Sequence, residues 1–272
     1  MDFVSRYTAH LPDAQGMVVY SDDEHAVWRA LFERQQRLLP QRACNEFIEG
    51  LARLHLCGDA IPQLPEVSRR LYAATGWTVE PVQALISARA FFSLLADKKF
   101  PAATFIRSMA ELDYVTEPDI FHELFGHCPM LTDPVYADFL HRYACQVLQH
   151  PESDWRLLQR LFWFTVEFGL INTSQGVRAY GGGILSSMSE TAYCVESDKP
   201  LRVLFEPASA LRTPYRIDSL QSIYFVIQSF DKLYECVTPM MHANLKRARE
   251  LGEYPALFPV DEGNPHIHIL AC

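Results

Sequence analysis

Residues 117–133 read EPDIFHELFGHCPMLTD, and the two histidines in that stretch, His122 and His127, decide what the rest of the fold must supply. The Glu-Pro-Asp opening predicts a helix from Pro118 to about Gly126. Proline suits a first helical turn, and a carboxylate suits the positive end of the helix dipole. Neutral imidazole is the commonest protein ligand for a first-row transition metal. Residues five apart on a regular helix do not share a face, so both rings reach one ion only where the helix ends or distorts between them. Gly126 stands where such a break is expected. The zinc-protease signature H-E-x-x-H needs its second histidine four residues on, and Gly126 holds that slot here. The plain alternative is a pair of unrelated histidines packed around a helix end.

A third element lies downstream in LFWFTVEFGL, residues 161–170, where Glu167 sits in an otherwise apolar segment with Leu161, Phe164 and Phe168 near one face. Burying an unpaired carboxylate costs several kcal/mol. No Lys or Arg falls within one turn, and Arg160 is about two turns back. A metal ion, or else a distant arginine, must supply the positive charge. Two histidines and one carboxylate form the facial triad of non-haem Fe(II) oxygenases, which leaves coordination positions open for dioxygen and a co-substrate. Zinc hydrolases use the same donor types, so ligand chemistry alone leaves both metals open.

Outward from these segments the chain reads as mainly α with a few short strands (α+β), in one domain spanning residues 1–272. Helical spacing runs from Glu24 to Leu56, punctuated at Pro40, and another helix runs from about Glu66 to Gly76. An apolar helix follows WTVEPV, and the aromatic stretch from Phe100 to Phe105 reads as strand or loop. Further helices are expected at Pro134–Gln149 and at residues 152–170. INTSQGVRAYGGGILSS, residues 171–187, is Gly-rich and β-prone, while residues 216–237 hold a β-prone piece and then a helix. Residues 1–20 are expected to be a loosely structured lead-in arm, and 246–272 a C-terminal tail. His266 and His268 in that tail form H-x-H, which fits an exposed β-like tail better than a metal site.

Composition narrows the function class. Of the 272 residues, 49% are hydrophobic and 21% charged, as in an ordinary globular enzyme. A net charge of −9 without any basic run argues against nucleic acid as a partner. No apolar window approaches a membrane span, and MDFVSRYTAH lacks the pattern of a signal peptide. Seven cysteines without a C-x-x-C pair suggest free thiols in a reducing, cytoplasmic compartment.

Three segments together, EPDIFHELFGHCPMLTD, FWFTVEFGL and AYGGGILSSMSE, resemble the signature segments of the pterin-dependent aromatic amino acid hydroxylases. IPQLPEVSRRLYAATGWTVEPVQALISARAFF resembles that family's pterin-binding region, and TFIRS its substrate-anchoring segment. The likeness runs in order over roughly residues 24–235 and is nearest in pattern to the short bacterial phenylalanine hydroxylases, without room for a regulatory domain.

That resemblance implies a single catalytic domain, as a monomer or small homo-oligomer, that converts L-phenylalanine to L-tyrosine. Its cofactors would be Fe(II), a tetrahydropterin and O2, with tyrosine or tryptophan as alternative substrates. It implies that His122, His127 and Glu167 hold the iron. Phe91 would stack on the pterin, with contacts from Val82, Ile86 and Ala88, and Glu123 would face it. Arg107 would bind the substrate carboxylate, Trp163 would pack on the substrate ring, and Ser186 with Glu190 would support the ligands. Without the family, Phe91 reads as ordinary core and Arg107 as a surface charge. Three positions depart from the family pattern: Phe162 in place of Tyr, Val115-Thr116 in place of Thr-Pro, and Pro101 in place of His. A zinc hydrolase, or a non-catalytic protein that keeps the fold, would fit the same ligands.

Overall fold

Local capping chemistry sets several of the helix starts in the computed structural model, which describes residues 5–83, 85–237 and 240–258. Helix α1, Asp22–Leu38, opens on a reciprocal pair in which the Ser21 hydroxyl accepts the Glu24 N–H and the Glu24 carboxylate accepts the Ser21 N–H. Helix α2 is Asn45–Arg53, and α3, Leu64–Thr75, closes on Gly76 at a φ of 79°, the left-handed conformation that glycine adopts without strain. Strand β1, Thr78–Val82, leads to α4, Ala88–Ala96, and then to β2, Lys99–Ala103. Asp133 caps α5, Pro134–Gln149, by accepting the N–H groups of Val135 and Tyr136, and α6 follows as Glu152–Phe162.

Strands β3, Leu170–Thr173, and β4, Gly176–Ala179, form a hairpin that runs into α7, Gly182–Leu185, and α8, Met188–Glu196. The remaining elements among the described residues are β5, Leu201–Leu204, α9, Pro207–Arg212, β6, Ile223–Ile227, a 3-10 helix at Phe230–Cys236 and α10, Met240–Leu251. Strands β1 and β2 pair in parallel, with Val79 opposite Phe100. The second sheet has the order β4-β3-β6-β5, in which β3 is antiparallel to β4 and parallel to β6. The mainly helical layout with short strands is the one the sequence patterns predict, including the break near Pro40 and the ends of α5.

The core is rich in edge-to-face aromatic pairs. Phe91 and Phe92 of α4 meet Phe162 at centroid distances of 5.5 and 6.0 Å, and Trp28 meets Phe121 at 5.2 Å. This packing holds the two histidine- and glutamate-bearing helices against α4, α5 and α1.

Both of those helices depart from the expected form. The helix predicted from Pro118 begins at Ile120, with Asp119 as its cap: Asp119 Oδ1 accepts the His122 N–H at 3.0 Å. From His122 to His127 it is a π-helix, and the Cys128 N–H reaches back five residues to the Glu123 carbonyl. Gly126 therefore does not end the helix. Its place is dictated by close packing, since a Cβ there would sit 2.7 Å from the Gly182 carbonyl of α7. The helix expected through residue 170 leaves the α form at Phe162, passes through a π-turn at Trp163–Glu167, and gives way to β3.

Residues 5–20 form no helix or strand, yet the arm is not loose. The Tyr7 ring stacks on Phe105 at 4.4 Å and its hydroxyl donates to Glu111 at 2.7 Å. Ser5 Oγ and the Arg6 N–H both donate to the Glu117 carboxylate. The arm thus clasps the segment that carries Arg107. At the other end, the tail boundary expected at residue 246 falls inside α10, which packs on α9. His266 and His268 lie outside the described residues. Among the described residues no helix is long and apolar enough to cross a membrane.

Tyr7→Ala removes both the stack and the hydrogen bond, and should lower stability by about 1–2 kcal/mol in denaturant unfolding. An unchanged midpoint would show that the arm contributes nothing.

Candidate metal centre and substrate cleft

The π-turn brings the His122 and His127 Nε2 atoms to 3.0 Å from each other, which a regular helix cannot do for residues five apart. Glu167 closes the second π-turn and presents its carboxylate at 3.3 Å from His127 Nε2 and 3.7 Å from His122 Nε2. Donors bound to one ion at about 2.1 Å and at right angles stand about 3.0 Å apart, so these three are spaced to share an ion. Glu123 is a fourth candidate, since a carboxylate oxygen of it lies with the two imidazoles inside a 4.8 Å cluster. Burial, with Glu167 and Asp119 adding to it, pushes the Glu123 carboxyl well above its usual range. That shift works against the charged form a metal donor needs, whereas Glu167 stands 3.3 and 3.7 Å from the two imidazoles with its own carboxyl held below the ordinary range.

Charge at the other groups suits coordination. Burial, and then the neighbouring His127, push His122 down to about 4, so its ring is neutral near pH 7. Burial also pushes Glu167 upward, but His127, His122 and the Gly183 N–H outweigh it, and the carboxyl rests below its ordinary range. The alternative of a distant arginine does not materialise. Arg160 pairs with Glu253 at 3.0 Å and donates to the Leu211 carbonyl, and among the described residues no Lys or Arg pairs with Glu167.

Two neighbours orient the histidines. Ser186 Oγ lies 2.8 Å from the Gly182 carbonyl, to which its one proton is donated, and 2.9 Å from His122 Nδ1. The serine therefore accepts from Nδ1–H, which leaves the Nε2 lone pair free for a metal. His127 is held between Phe100, at 5.1 Å, and the bare face of Gly182, where any Cβ would run into the imidazole.

These groups open onto a cleft of about 410 Å3 that is lined by Arg107, His122, Trp163, Glu167, Ser186 and Glu190, among others. Arg107 is buried, not a surface charge. Its Nε and Nη2 donate to the two oxygens of the fully buried Asp119 at 2.8 and 2.9 Å. That side-on pairing leaves the end-on N–H groups of the guanidinium for a second carboxylate. Asp119 is pushed up by burial, but Arg107 outweighs this and holds it below the usual carboxylate range.

Trp163 stacks on Tyr215 at 4.3 Å and donates its indole N–H to Gln221 Oε1 at 3.0 Å. Glu190 lines the cleft and accepts from the Gln221 N–H at 3.0 Å and from the Tyr224 hydroxyl. The pairing of Asp119 with Arg107, and the roles of Tyr215 and Gln221, escape a sequence reading because nothing local marks them.

The residues expected around a pterin are placed beside this cleft and do not form its lining. Val82 ends β1, Ile86 lies in the following loop and Ala88 begins α4, all half-buried. Phe91 is buried one turn into α4, edge-on to Phe162. Of the three departures, Phe162 is fully buried in that aromatic cluster, Pro101 lies within β2, and Thr116 Oγ1 accepts from Arg6.

A family model described as biopterin-dependent aromatic amino acid hydroxylase matches residues 4–254. Phenylalanine-4-hydroxylase of Pseudomonas aeruginosa is 48% identical over 255 residues, 94% of this chain and 97% of that protein. A solved structure of phenylalanine hydroxylase from Legionella pneumophila is 67% identical, with a TM-score of 0.90 over 92% of this chain and all of that one. Another, from Chromobacterium violaceum with bound oxidised Fe(III), is 42% identical with a TM-score of 0.86, covering 93% and 91%.

Ser186→Ala should weaken Fe(II) affinity by about 10–100-fold in metal titrations, because His122 loses the group that fixes its tautomer. Unchanged affinity would remove Ser186 from that role. In the metal-free protein the depressed His122 gives a pH dependence of known sign. Between about 6.5 and about 4 the unfolded chain binds a proton that the native one refuses, so stability falls as pH falls through that window. His122→Asn should flatten this part of the unfolding-versus-pH curve, and an unaltered slope would reject the assignment.

Proposed function

The chain belongs to the biopterin-dependent aromatic amino acid hydroxylases, and from that membership we propose that it hydroxylates L-phenylalanine to L-tyrosine, with Fe(II) held by His122, His127 and Glu167. The observation that carries this reading is the convergence of those three donors beside a cleft that also presents a buried arginine. Iron, when bound, activates O2 together with the tetrahydropterin. Together they would supply the two electrons and two protons with which one oxygen atom of O2 could enter the ring while the other is reduced to water.

The protein's own residues do the placing. Arg107 receives the amino acid carboxylate on its free end-on donors, steadied from the other side by Asp119. Trp163 offers a flat apolar wall for the substrate ring. The β1–α4 segment, with Phe91 packed behind it in the core, is the side on which the pterin is expected, and Glu123, beside the two histidines, would face it. The walls exclude water from the reacting oxygen. A reducing, cytoplasmic setting suits the six described cysteines, all free.

Aerobic turnover of L-phenylalanine by the ferrous enzyme with a tetrahydropterin should yield tyrosine in step with pterin oxidation and should stop when iron is chelated. Absence of hydroxylated product from phenylalanine, tyrosine and tryptophan would sink the reading, and O2-independent hydrolysis would point to a zinc enzyme instead. Arg107→Lys replaces a planar fork with a point charge and should raise the amino acid KM about tenfold, with the pterin KM within about twofold. An unmoved amino acid KM would reject Arg107 as the anchor.

A further inference from the structure

Gln221 is 4% exposed, and every polar atom the side chain has is used. Its Oε1 accepts the Trp163 indole N–H at 3.0 Å, and its Nε2 donates to the carbonyls of Arg216, at 2.8 Å, and Ser219, at 3.2 Å. Its backbone N–H donates to Glu190 Oε1 at 3.0 Å. The amide has one workable orientation. Flipped, it would set NH2 against the indole N–H and an oxygen against two carbonyls, leaving buried polar groups unsatisfied.

The two sides joined by this amide are both walls of the cleft. Ile217, Ser219 and Leu220 line it from the loop, and Trp163 lines it from the π-turn that ends in Glu167. Trp163 is also packed against Tyr215, at 4.3 Å, and Phe168, at 4.4 Å. Those contacts are aromatic and can slide within the ring plane, whereas the hydrogen bond fixes where the indole stops.

We propose that Gln221 is a positioning residue that sets the distance between the aromatic wall of the cleft and the metal ligands by locking Trp163 to the 216–219 loop. The inference rests on the hydroxylase reading above. A substrate ring held slightly off line misses the oxygen being transferred, and O2 then takes two electrons and two protons from the tetrahydropterin and leaves as hydrogen peroxide. Misplacement at this scale is costly to productive reaction and leaves cofactor chemistry intact.

The test uses the iron-loaded full chain carrying Gln221→Met, similar in length and without the hydrogen bonds. The expected result is an amino acid KM raised about fivefold, a pterin KM within about twofold, tyrosine per pterin oxidised reduced to about half or less, and unchanged iron content. In the Trp163→Phe background the same change should have no further effect on coupling, because the locked group is already gone. Native coupling and KM in Gln221→Met, or additive losses in the double variant, would overturn the proposal. So would native coupling in Trp163→Phe alone, a test that stands even if Gln221→Met does not fold. If the unmodified enzyme makes no hydroxylated product, the reading beneath this proposal fails and takes it along. Normal turnover with unaltered variants overturns the proposal alone.

Discussion

A carboxylate buried in an apolar helix has to meet positive charge, and the placement of Glu167 governs much of what surrounds it. With Arg160 turned to Glu253, the groups left facing Glu167 are two imidazoles, one of them pushed down to about 4 and neutral. Such a trio is held together by a cation and not by its own ion pairs. Everything that brings the imidazoles to the carboxylate therefore serves that need: two π-turns, a serine that fixes a tautomer, and glycines at positions 126 and 182 where helices approach backbone to backbone.

The second buried charge is treated differently. Arg107 and Asp119 are twelve residues apart and almost wholly out of solvent, and they satisfy each other through two parallel hydrogen bonds plus the Arg107 N–H. A pair of this kind contributes little net stability compared with an apolar substitute, but it costs dearly to break. Its value lies in what it leaves over: a rigid guanidinium with donors facing the cleft. The same Asp119 caps the first histidine-bearing helix through the His122 N–H, so the buried arginine and the histidine cluster share one carboxylate.

How much of this could be read from residues alone varied with range. The convergence of His122, His127 and Glu167 was legible because each is anomalous in its own segment: two histidines at an unhelical spacing, and a glutamate among aromatics. Helix ends with strong local signals, such as Gly76 and Asp133, were legible for the same reason. The form of the distortion was not, since a π-turn is selected by packing against α7 and by the ligand set, and Gly126 serves contact there instead of chain reversal. Asp119 was legible as the opening of a helix but not as the partner of Arg107, and Tyr215 and Gln221 were hidden because their significance is entirely tertiary. The arm misled in the opposite sense: residues 5–10 lack any periodic pattern, yet single side chains pin them to segment 104–117.

A π-turn contains one residue more than the α-turn it replaces. Taking one residue out between Glu123 and Gly126 would return HELFGH to α-helical phase and, at the same stroke, turn its histidines into the H-E-x-x-H spacing of zinc peptidases. The extra residue in the turn is thus what separates this spacing from that of the zinc peptidases. In the α register both rings and the glutamate belong to one helix and suit an ion that polarises water. In the expanded register Glu167 from the second helix stands beside the two rings, and a donor set of this type leaves positions open on which a gas and an organic reductant can meet.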